Sequence, residues 1–313
     1  MGFEFRPARR ENVSLLLGLG GGTGSGKTYT AMRLATGICA AYGRERFCVI
    51  DTEAGRAKHY ADRFSFDHGD LMPPFRPGNY VEAIHAADKA GYPAIVVDST
   101  SHEWAGDGGV LDWQEDELTR LIRGDEGKRD AMKMLSWQAP KRDHKKMVQD
   151  LLQVRAHLIL CFRAEPKIEI AKDNGRTVVR EKSGLNVGPG GWTMITDKQL
   201  PFELTASFMF FAEKPGVPVA IKLQEQHKAL FPADRVVDED SGRRVAEWAQ
   251  GGVAKGTPAP PANGDWLRRI ADAKTKAELL EVGLQLRSAT LATATKDMIR
   301  ASYDSRLQAL AGK

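Results

Sequence analysis

The chain has 313 residues, with 45 Lys and Arg against 41 Asp and Glu and a formal net charge of +4. Its hydrophobic fraction of 42% and charged fraction of 27% are those of a globular protein, which excludes a collagen-like or wholly disordered chain. No apolar run reaches membrane-spanning length and the N-terminus has no apolar signal core, so we expect a cytoplasmic protein without a membrane partner.

The cysteines and the net charge limit the function further. Cys39, Cys48 and Cys161 lie in or beside apolar segments and form no CxxC pair, so they predict buried, reduced thiols rather than a zinc site. The mild excess of positive charge permits a polyanionic partner but does not require one. The length favours one large domain followed by a smaller one.

A glycine-rich stretch follows the first apolar segment. The segment 13–17 predicts a buried strand, and the pattern Gly-x4-Gly-Lys-Thr then ends at Thr28. Such a loop can turn its backbone amides towards one anion, and segment 29–35 predicts a helix whose positive end lies under that anion. We expect Lys27 to neutralise the β- and γ-phosphates of ATP and the Thr28 hydroxyl to hold Mg²⁺. The predicted nucleotide-binding residues of this stretch are Gly22, Thr23, Gly24, Ser25, Gly26, Lys27, Thr28 and Tyr29.

Two further apolar strands end in carboxylates. The segment 47–50 leads into Asp-Thr-Glu ending at Glu53, and 94–97 leads into Asp98. Ligands of open α/β sheets bind at the carboxyl ends of strands, so we expect Asp98 to reach the Mg²⁺ shell. An AAA+ enzyme usually has Glu directly after this Asp. Ser99 stands there instead, which argues against the AAA+ class and favours Glu53 as the catalytic carboxylate.

The middle of the chain gives weaker signals. Residues 60–77 are aromatic, polar and proline-containing and predict mainly loop. Residues 101–129 predict a loop with one broken helix, and Glu103 within it is a second candidate base. Residues 131–154 predict a helix that Pro140 interrupts.

Cations gather at two places around the next predicted strand, which ends at Arg163. After that strand, Asp173-Asn174-Gly175 predicts a hairpin, and a glycine-rich stretch ends at Trp192. A solvated surface is the ordinary interpretation of such cations; with an aromatic face for stacking they also suit single-stranded nucleic acid. The predicted nucleic-acid contacts are Lys141, Arg142, Lys145 and Lys146 on the preceding helix and Lys167, Lys172, Arg176, Arg180, Lys182 and Trp192 in the loop.

The last part of the chain predicts a domain boundary. Residues 202–211 and 217–223 predict two more strands. The Gly/Pro/Ala segment 251–264 has no periodicity and predicts a flexible linker. Beyond it, apolar residues at helical spacing predict a helical module over 265–313, so that 1–250 forms the core domain.

Several of these segments together resemble the RecA-like recombinase superfamily. The matching segments are GGTGSGKT at 21–28, VIDTE at 49–53, AIVVDS at 94–99 and LILCFR at 158–163. The stretch DSTSHEW and the helical tail look like bacteriophage RecA-like nucleotide-binding proteins of the recombination and single-strand annealing type. The resemblance implies a RecA-like P-loop core, with a mostly parallel sheet flanked by helices, antiparallel strands at its C-terminal side and a small all-α C-terminal module.

The resemblance also implies residue roles. Glu53 would activate the attacking water, and Asp98 would orient Mg²⁺ and its waters. Arg163 stands where the superfamily commonly has glutamine, and it could stabilise charge on the transferred phosphoryl group. Lys228 lies in the segment that resembles the place where such proteins present lysines to the neighbouring subunit's nucleotide, and this implies a homo-oligomeric ring or filament.

We therefore expect a DNA-stimulated P-loop ATPase that assembles on single-stranded DNA and promotes annealing or pairing, in the bacterial host cytoplasm if a phage encodes it. Two alternatives stay open from the sequence. One is a nucleic-acid-binding scaffold in which ATP is a switch that is not hydrolysed. The other is a motor or loader that acts on a protein partner through the C-terminal helices.

Overall fold

The computed structural model divides the chain into two compact units, Met1–Gly252 and Val253–Lys313. It describes residues 5, 10–11, 13–173, 176–251, 263–287 and 293–311. Two predictions lie wholly or mainly outside these residues: the Asn174-Gly175 turn and the linker at 251–264. The first unit is α/β, and the described part of the second is helical.

The first unit alternates strands and helices over its first half. Its strands are β1 (Leu16–Gly21), β2 (Phe47–Asp51), β3 (Phe66–Asp70), β4 (Ala94–Asp98), β5 (His157–Pro166), β6 (Ile168–Asp173), β7 (Arg176–Glu181), β8 (Trp192–Met194), β9 (Ala206–Phe210) and β10 (Val219–Lys222). Its helices are α1 (Lys27–Ala41), α2 (Pro77–Ala90), α3 (Ser101–Ala105), α4 (Val110–Ile122), α5 (Arg129–Ser136), α6 (Gln138–Leu151), α7 (Leu200–Glu203) and α8 (Glu239–Ala249).

One mostly parallel sheet organises this unit. Its strand order is β10-β9-β1-β5-β4-β2-β3, with β8 paired to β5. Only β10 and β8 run antiparallel to their neighbours in this sheet. The inner strands β1 and β4 are buried along their whole length, as expected where helices cover both faces of a parallel sheet. The predicted α/β class with a mostly parallel sheet is therefore confirmed.

Helices pack on both faces of the sheet and form two apolar layers. One layer joins α1 and α8 to the sheet through residues such as Leu34, Ile38 and Val245. The other joins α2 and α6 to the opposite face through Ile84, Met147 and others. The sheet is thus fixed from both sides, and its strand ends are held in place.

A close crossing of α1 and α8 supports the helix that follows the glycine-rich loop. A Cβ added to Gly37 would overlap the backbone carbonyl of Glu239, and one added to Gly242 would overlap that of Leu34. Beside this contact, the Arg33 guanidinium donates to the Glu239 carboxylate at 2.5 Å. The two glycines therefore set the distance between the helices.

Two predicted loops contain regular structure. The predicted loop 60–77 includes β3, an edge strand in which only Phe66 is buried, so its apolar pattern is too short to stand out. The region predicted as loop with one broken helix, 101–129, contains α3 and α4. Most of 60–77 lies outside regular structure, as predicted, but β3 was missed. The helices α3 and α4, separated at residues 106–109, correspond to the broken helix predicted in 101–129.

Two other boundaries differ from the predictions. The break in the predicted helix 131–154 falls at Trp137, between α5 and α6. Pro140 lies in the first turn of α6, where its missing N–H leaves no intrahelical bond unmade. The strand predicted from residue 202 begins at Ala206, because Leu200–Glu203 forms α7.

The second unit contains α9 (Asn263–Asp272), α10 (Lys276–Arg287) and α11 (Thr293–Ala311) among its described residues. Its core includes Trp266, Ile270, Leu279 and Ile299. The Thr275 hydroxyl accepts a hydrogen bond from the Glu278 amide at 3.2 Å, as in one half of a capping box.

Within the described residues, no helix is both long enough and apolar enough to cross a membrane.

Cys39, Cys48 and Cys161 are all free thiols. Burial raises the pKa of the Cys39 thiol to about 12 and that of Cys48 to about 11. These cysteines are therefore poor nucleophiles at neutral pH.

His157 joins the starts of β1 and β5. Its ring is 2% exposed, and Nδ1 accepts a hydrogen bond from the Leu15 amide at 3.1 Å. Nε2 therefore carries the hydrogen and lies 3.3 Å from the Tyr42 hydroxyl. Burial lowers the pKa of His157 to about 4, so the native protein holds this ring neutral.

The helix crossing predicts an unusual response to Gly37→Ala. Replacing glycine by alanine within a helix normally stabilises it by up to about 1 kcal/mol. Here, however, the new methyl group must separate α1 from α8. We expect the free energy of unfolding to fall by about 2 kcal/mol, the middle of the range for overpacking. Gly78→Ala in α2 is the matched control, since a Cβ there meets no atom within 4 Å. Urea unfolding that shows equal effects for the two variants would contradict this crossing.

The buried neutral His157 predicts a loss of stability in mild acid. Because the native pKa is about 4 and the unfolded value is 6.5, the unfolded chain binds more protons between these values. The contribution of neutral His157 to the free energy of unfolding is fully present above pH 6.5. It falls by about 2 kcal/mol between pH 7.5 and pH 5. In His157→Asn, the side-chain amide oxygen can still accept a hydrogen bond from the backbone N–H of Leu15. The free energy of unfolding of this variant should fall by correspondingly less over the same change of pH. Denaturant unfolding of both proteins across this range measures the difference.

Candidate functional site

The glycine-rich loop joins β1 to α1 and forms a compact turn. Gly26 precedes the helix with φ 84°, a left-handed conformation that favours glycine. The Lys27 ammonium donates to the Gly22 carbonyl at 2.9 Å, and the Ser25 hydroxyl donates to the same oxygen at 2.8 Å. The loop is thus closed on itself by its own side chains, with the N-terminus of α1 beneath it.

Thr28 and Asp98 place a hydroxyl and a carboxylate side by side in the site. The Thr28 hydroxyl donates to Asp98 Oδ2 at 2.5 Å. Burial raises the pKa of Asp98 to about 6, although the hydrogen bond from Thr28 and the nearby Lys27 oppose this shift. A hydroxyl and a carboxylate are ligands that Mg²⁺ prefers, with phosphate and water completing its shell. The described residues contain no group of three or more His, Cys, Asp or Glu that could hold a metal, so a cation here would also need ligands from the nucleotide.

A cavity of about 960 Å³ lies over the loop. The residues predicted to bind or react with the nucleotide that line it are Gly22, Thr23, Gly24, Gly26, Lys27, Thr28, Tyr29, Glu53, Asp98 and Arg163. Of the predicted loop residues, only Ser25 does not line the cavity, because its side chain turns under the loop. Residues from β1, β2, β4 and β5 therefore meet around one volume.

Glu53 is held between two arginines. Its Oε2 accepts from Arg56 at 2.8 Å and its Oε1 accepts from Arg163 at 3.1 Å. Partial burial opposes ionisation, but the hydrogen bonds from Arg56 and Arg163 outweigh it and hold the pKa of Glu53 below its ordinary value. The side chain is therefore ionised at neutral pH and can accept a proton once the guanidiniums move.

Asp51 builds the turn that presents Glu53. Its carboxylate is buried and accepts from the Glu53 amide at 2.6 Å and the Ala57 amide at 2.8 Å. His68 Nε2 on β3 lies 3.1 Å from the same carboxylate. This acidic side chain was not predicted to have a role. Its position two residues before Glu53 is the only sequence signal, and its partners become visible only in the fold.

Three cavity-lining residues were missed because they lie in or next to the region predicted as loop. Arg56, His59 and Tyr60 lie on a short 3-10 turn at Arg56–Tyr60 and line the cavity beside Tyr29. The rings of Tyr60 and Tyr29 have centroids 5.9 Å apart. The repeated aromatic residues after Glu53 were the available signal. This wall thus combines the aromatic rings of Tyr29 and Tyr60 with the guanidinium of Arg56.

Glu103 lies outside this cavity. Its side chain is fully buried, and Oε1 lies 2.8 Å from His144 Nδ1. Burial raises the pKa of the carboxyl, although His144 opposes the shift. The interpretation of Glu103 as a second base at the nucleotide was therefore wrong, because the side chain belongs to a buried polar network.

The cations predicted in the loop lie on or beside a hairpin. β6 and β7 form a separate two-stranded sheet directly after β5. Lys172 and Arg176 are exposed, whereas Lys167 pairs with Glu165 at 3.5 Å and Arg180 with Glu169 at 2.7 Å. Lys182 is half-buried. The structure thus groups all five cations, and acidic neighbours balance part of their charge.

Trp192 lies at the base of this hairpin, against the phosphate loop. Its ring is half-buried and packs edge-on against Phe211, with centroids 5.8 Å apart. A Cβ added to Gly22 would lie 3.0 Å from the Trp192 ring. The residue predicted as a stacking face thus packs beside Gly22 of the phosphate loop and does not line the nucleotide cavity.

The remaining predicted cations lie on other elements. Lys141 on α6 pairs with Asp197 at 2.6 Å and lies over the Trp104 and Trp137 rings. Three further α6 residues are exposed: Arg142, Lys145 and Lys146. Lys228 is exposed, pairs with Glu225 at 2.6 Å and does not line the nucleotide cavity of its own chain.

The loop, the buried Asp98 and the cavity agree with a comparison to known families. A family model described as an AAA domain matches residues 15–188, which is more than half of the chain. A search of curated proteins found no match. An AAA domain is a nucleotide-binding ATPase domain of the P-loop type. Ser99 after Asp98 had favoured a class other than AAA, and this match overturns that preference.

The loop geometry predicts a large effect of Lys27→Ala on nucleotide binding. The variant removes the ammonium that lies over the loop, and a charged hydrogen bond of this kind contributes about 1.5–3 kcal/mol. We expect ATP affinity to fall by roughly 10- to 100-fold, measured by calorimetric titration with Mg²⁺. Lys58→Ala is the control, since Lys58 pairs with Asp70 and does not line the cavity. Equal affinities for wild type and Lys27→Ala would show that the nucleotide binds elsewhere.

Proposed function

This chain belongs to the AAA-domain family, and we propose that it is a Mg²⁺-dependent ATPase of the RecA-like phage recombination type. It assembles on single-stranded DNA and promotes annealing or pairing. The observation that carries this proposal is the position of Arg163. This residue pairs with Glu53 in the nucleotide cavity and lies on β5, the strand that leads directly into the cationic hairpin.

The nucleotide-binding half of the proposal rests on the loop and its neighbours. Bound ATP and Mg²⁺ supply the reacting phosphoryl group and the charge that neutralises it. Lys27 and the loop amides hold the phosphates, and Thr28 and Asp98 hold the metal. Tyr29 and Tyr60 offer aromatic surface to the nucleobase at the other end of the cavity.

Glu53 is the proposed general base. It is ionised, it lines the cavity, and its proton affinity rises when its two guanidinium partners move away. Arg163 is half-exposed and can turn from Glu53 towards the transferred phosphoryl group, where its charge stabilises the transition state.

The nucleic-acid half of the proposal rests on the hairpin. Lys172 and Arg176 are exposed cations on a two-stranded sheet, and phosphate contacts of this kind bind single strands without sequence preference. A nucleic acid that shifts the hairpin would shift β5, because β5 ends at Pro166 and β6 begins at Ile168. Arg163 on β5 then transmits the shift to Glu53.

Assembly into a ring or filament is part of the same proposal. Lys228 is exposed and does not line the nucleotide cavity of its own chain, as expected of a cation that reaches a neighbouring copy's nucleotide. The helices α9–α11 are proposed to bind a protein partner.

An ATPase assay with and without a single-stranded oligodeoxynucleotide tests this function. We expect the oligonucleotide to raise turnover, and we expect Glu53→Gln to lower it by at least about 100-fold while ATP still binds, because general bases contribute 10²–10⁴-fold. Glu117→Gln is a matched control: Glu117 also accepts from an arginine three residues later, at 2.7 Å, and lies outside the cavity.

Three results would count against parts of the proposal. Full turnover in Glu53→Gln would remove that residue as the base. Turnover that DNA does not change, together with no measurable DNA binding, would leave an ATPase with another partner. ATP binding without turnover at saturating DNA would favour the scaffold in which ATP is only a switch.

A further inference from the structure

A second cavity lies beside Glu53. It measures about 420 Å³ and is lined by Thr52, Glu53, Ala54, Arg56, His59, His102 and Arg163. Glu53, Arg56, His59 and Arg163 also line the nucleotide cavity, whereas Thr52, Ala54 and His102 line only this second one of the two. We call it the Glu53 side cavity.

The charges of this cavity favour an anion. Arg56 and Arg163 supply two guanidiniums, and Glu53 is the only acid in the lining. The side chains of Arg56 and Arg163 are 69% and 51% exposed, whereas that of Glu53 is 15% exposed. An anion can therefore reach both guanidiniums from solvent while the carboxylate stays behind them.

Both guanidiniums retain donors for a ligand. Arg163 uses Nε and Nη2 on Glu53, and Arg56 uses Nη1. The other nitrogens, Arg163 Nη1 and Arg56 Nε and Nη2, have no hydrogen-bond partner within the described part of the chain. A tetrahedral oxyanion can accept from the Nε–Nη2 fork of Arg56 and from Arg163 Nη1 at once.

His102 adds a fixed polar wall. Its ring stacks on Phe75 with centroids 5.1 Å apart, and Nδ1 lies 2.7 Å from the Thr52 hydroxyl. Burial and the nearby Arg163 lower the pKa of His102, so the ring is neutral above pH 7 and adds no charge of its own. The ring thus shapes the cavity, and the attraction for an anion comes from the arginines.

We propose that the Glu53 side cavity is a second anion site that binds a phosphate dianion, either inorganic phosphate or the terminal phosphate of a nucleic acid. A phosphodiester or a carboxylate carries one charge and has no electrostatic advantage over Glu53. A phosphate monoester carries about −1.5 to −2 at pH 7 and competes better for two guanidiniums. Occupancy draws Arg56 away from Glu53, while Arg163 offers the phosphate its remaining nitrogen, Nη1. In this last respect the inference rests on the proposed function, since it gives the cavity a role in freeing the base.

Phosphate binding by the full chain tests the site directly. With Mg²⁺ and a non-hydrolysable ATP analogue filling the nucleotide cavity at pH 7.5, calorimetric titration should find one inorganic phosphate per chain. Arg56→Gln should weaken that binding by at least about 10-fold, since it removes a charged donor. Arg120→Gln is the matched control, because Arg120 pairs with Glu117 at i,i+3 and is 67% exposed, like Arg56 with Glu53. Thermal melting checks that both variants are folded.

Lys27→Ala without nucleotide separates this inference from the proposed function. That variant should still bind one phosphate whose affinity Arg56→Gln lowers, even if no nucleotide ever binds or is hydrolysed. No phosphate binding by either protein at millimolar concentration, or binding that Arg56→Gln leaves unchanged, overturns the site.

The two sources of the phosphate are distinguished by competition. A 5′-phosphorylated oligodeoxynucleotide that displaces inorganic phosphate, when its 5′-hydroxyl counterpart does not, supports a nucleic-acid end as the ligand. If neither oligonucleotide displaces it, the site takes free phosphate. Displacement by both equally contradicts the requirement for a dianion.

Discussion

The hydrogen-bond register of the parallel sheet is the constraint on which the nucleotide site depends. Register pairs Gly21 with Arg163, Cys161 with Asp98, and Asp98 with Asp51. Asp98 and the turn that carries Glu53 therefore begin at the same level of the sheet, and the phosphate loop begins two residues further along its strand. A slip of one residue in any pairing would turn the terminal side chains to the opposite face. Helices on both faces oppose such a slip, because alternate side chains of each inner strand pack into two different apolar layers.

The position and the ionisation of the Glu53 carboxylate both depend on contacts that only the fold brings together. Asp51 fixes the backbone on either side of Glu53, and a contact with His68 on β3 helps to hold Asp51 in place. Arg163 arrives from β5, more than 100 residues later in the chain. The carboxylate is thus positioned by residues near the edge of the sheet, and it is kept ionised by Arg163 from the central strand β5 together with Arg56 from the adjoining turn. A change that loosened either part would alter the proton affinity of the side chain without touching the phosphate loop.

The sequence predicted those parts of the site that depend on local residue patterns. The phosphate loop, its flanking strand and helix, and Asp98 at the end of an apolar run follow from residue types at fixed spacing. Arg56 and Tyr60 could not be found in this way, because their place in the cavity depends on a 3-10 turn that Asp51 stabilises. β3 was missed for a related reason: an edge strand with one buried residue has almost no pattern of its own. Trp192 was noticed, but its neighbour across the fold, Gly22, was not.

The glycine crossing between α1 and α8 also bears on how the chain is made. α1 ends at Ala41, whereas α8 begins at Glu239, so nearly two hundred residues must leave the ribosome before Leu34 and Gly37 meet Gly242. Until then the helix beneath the phosphate loop has one apolar side uncovered. Contacts between such distant parts of a chain form slowly because of the entropy of closing the intervening loop. A nascent chain that stops short of α8 therefore exposes the support of its own nucleotide site, and so becomes a substrate for chaperones and proteases.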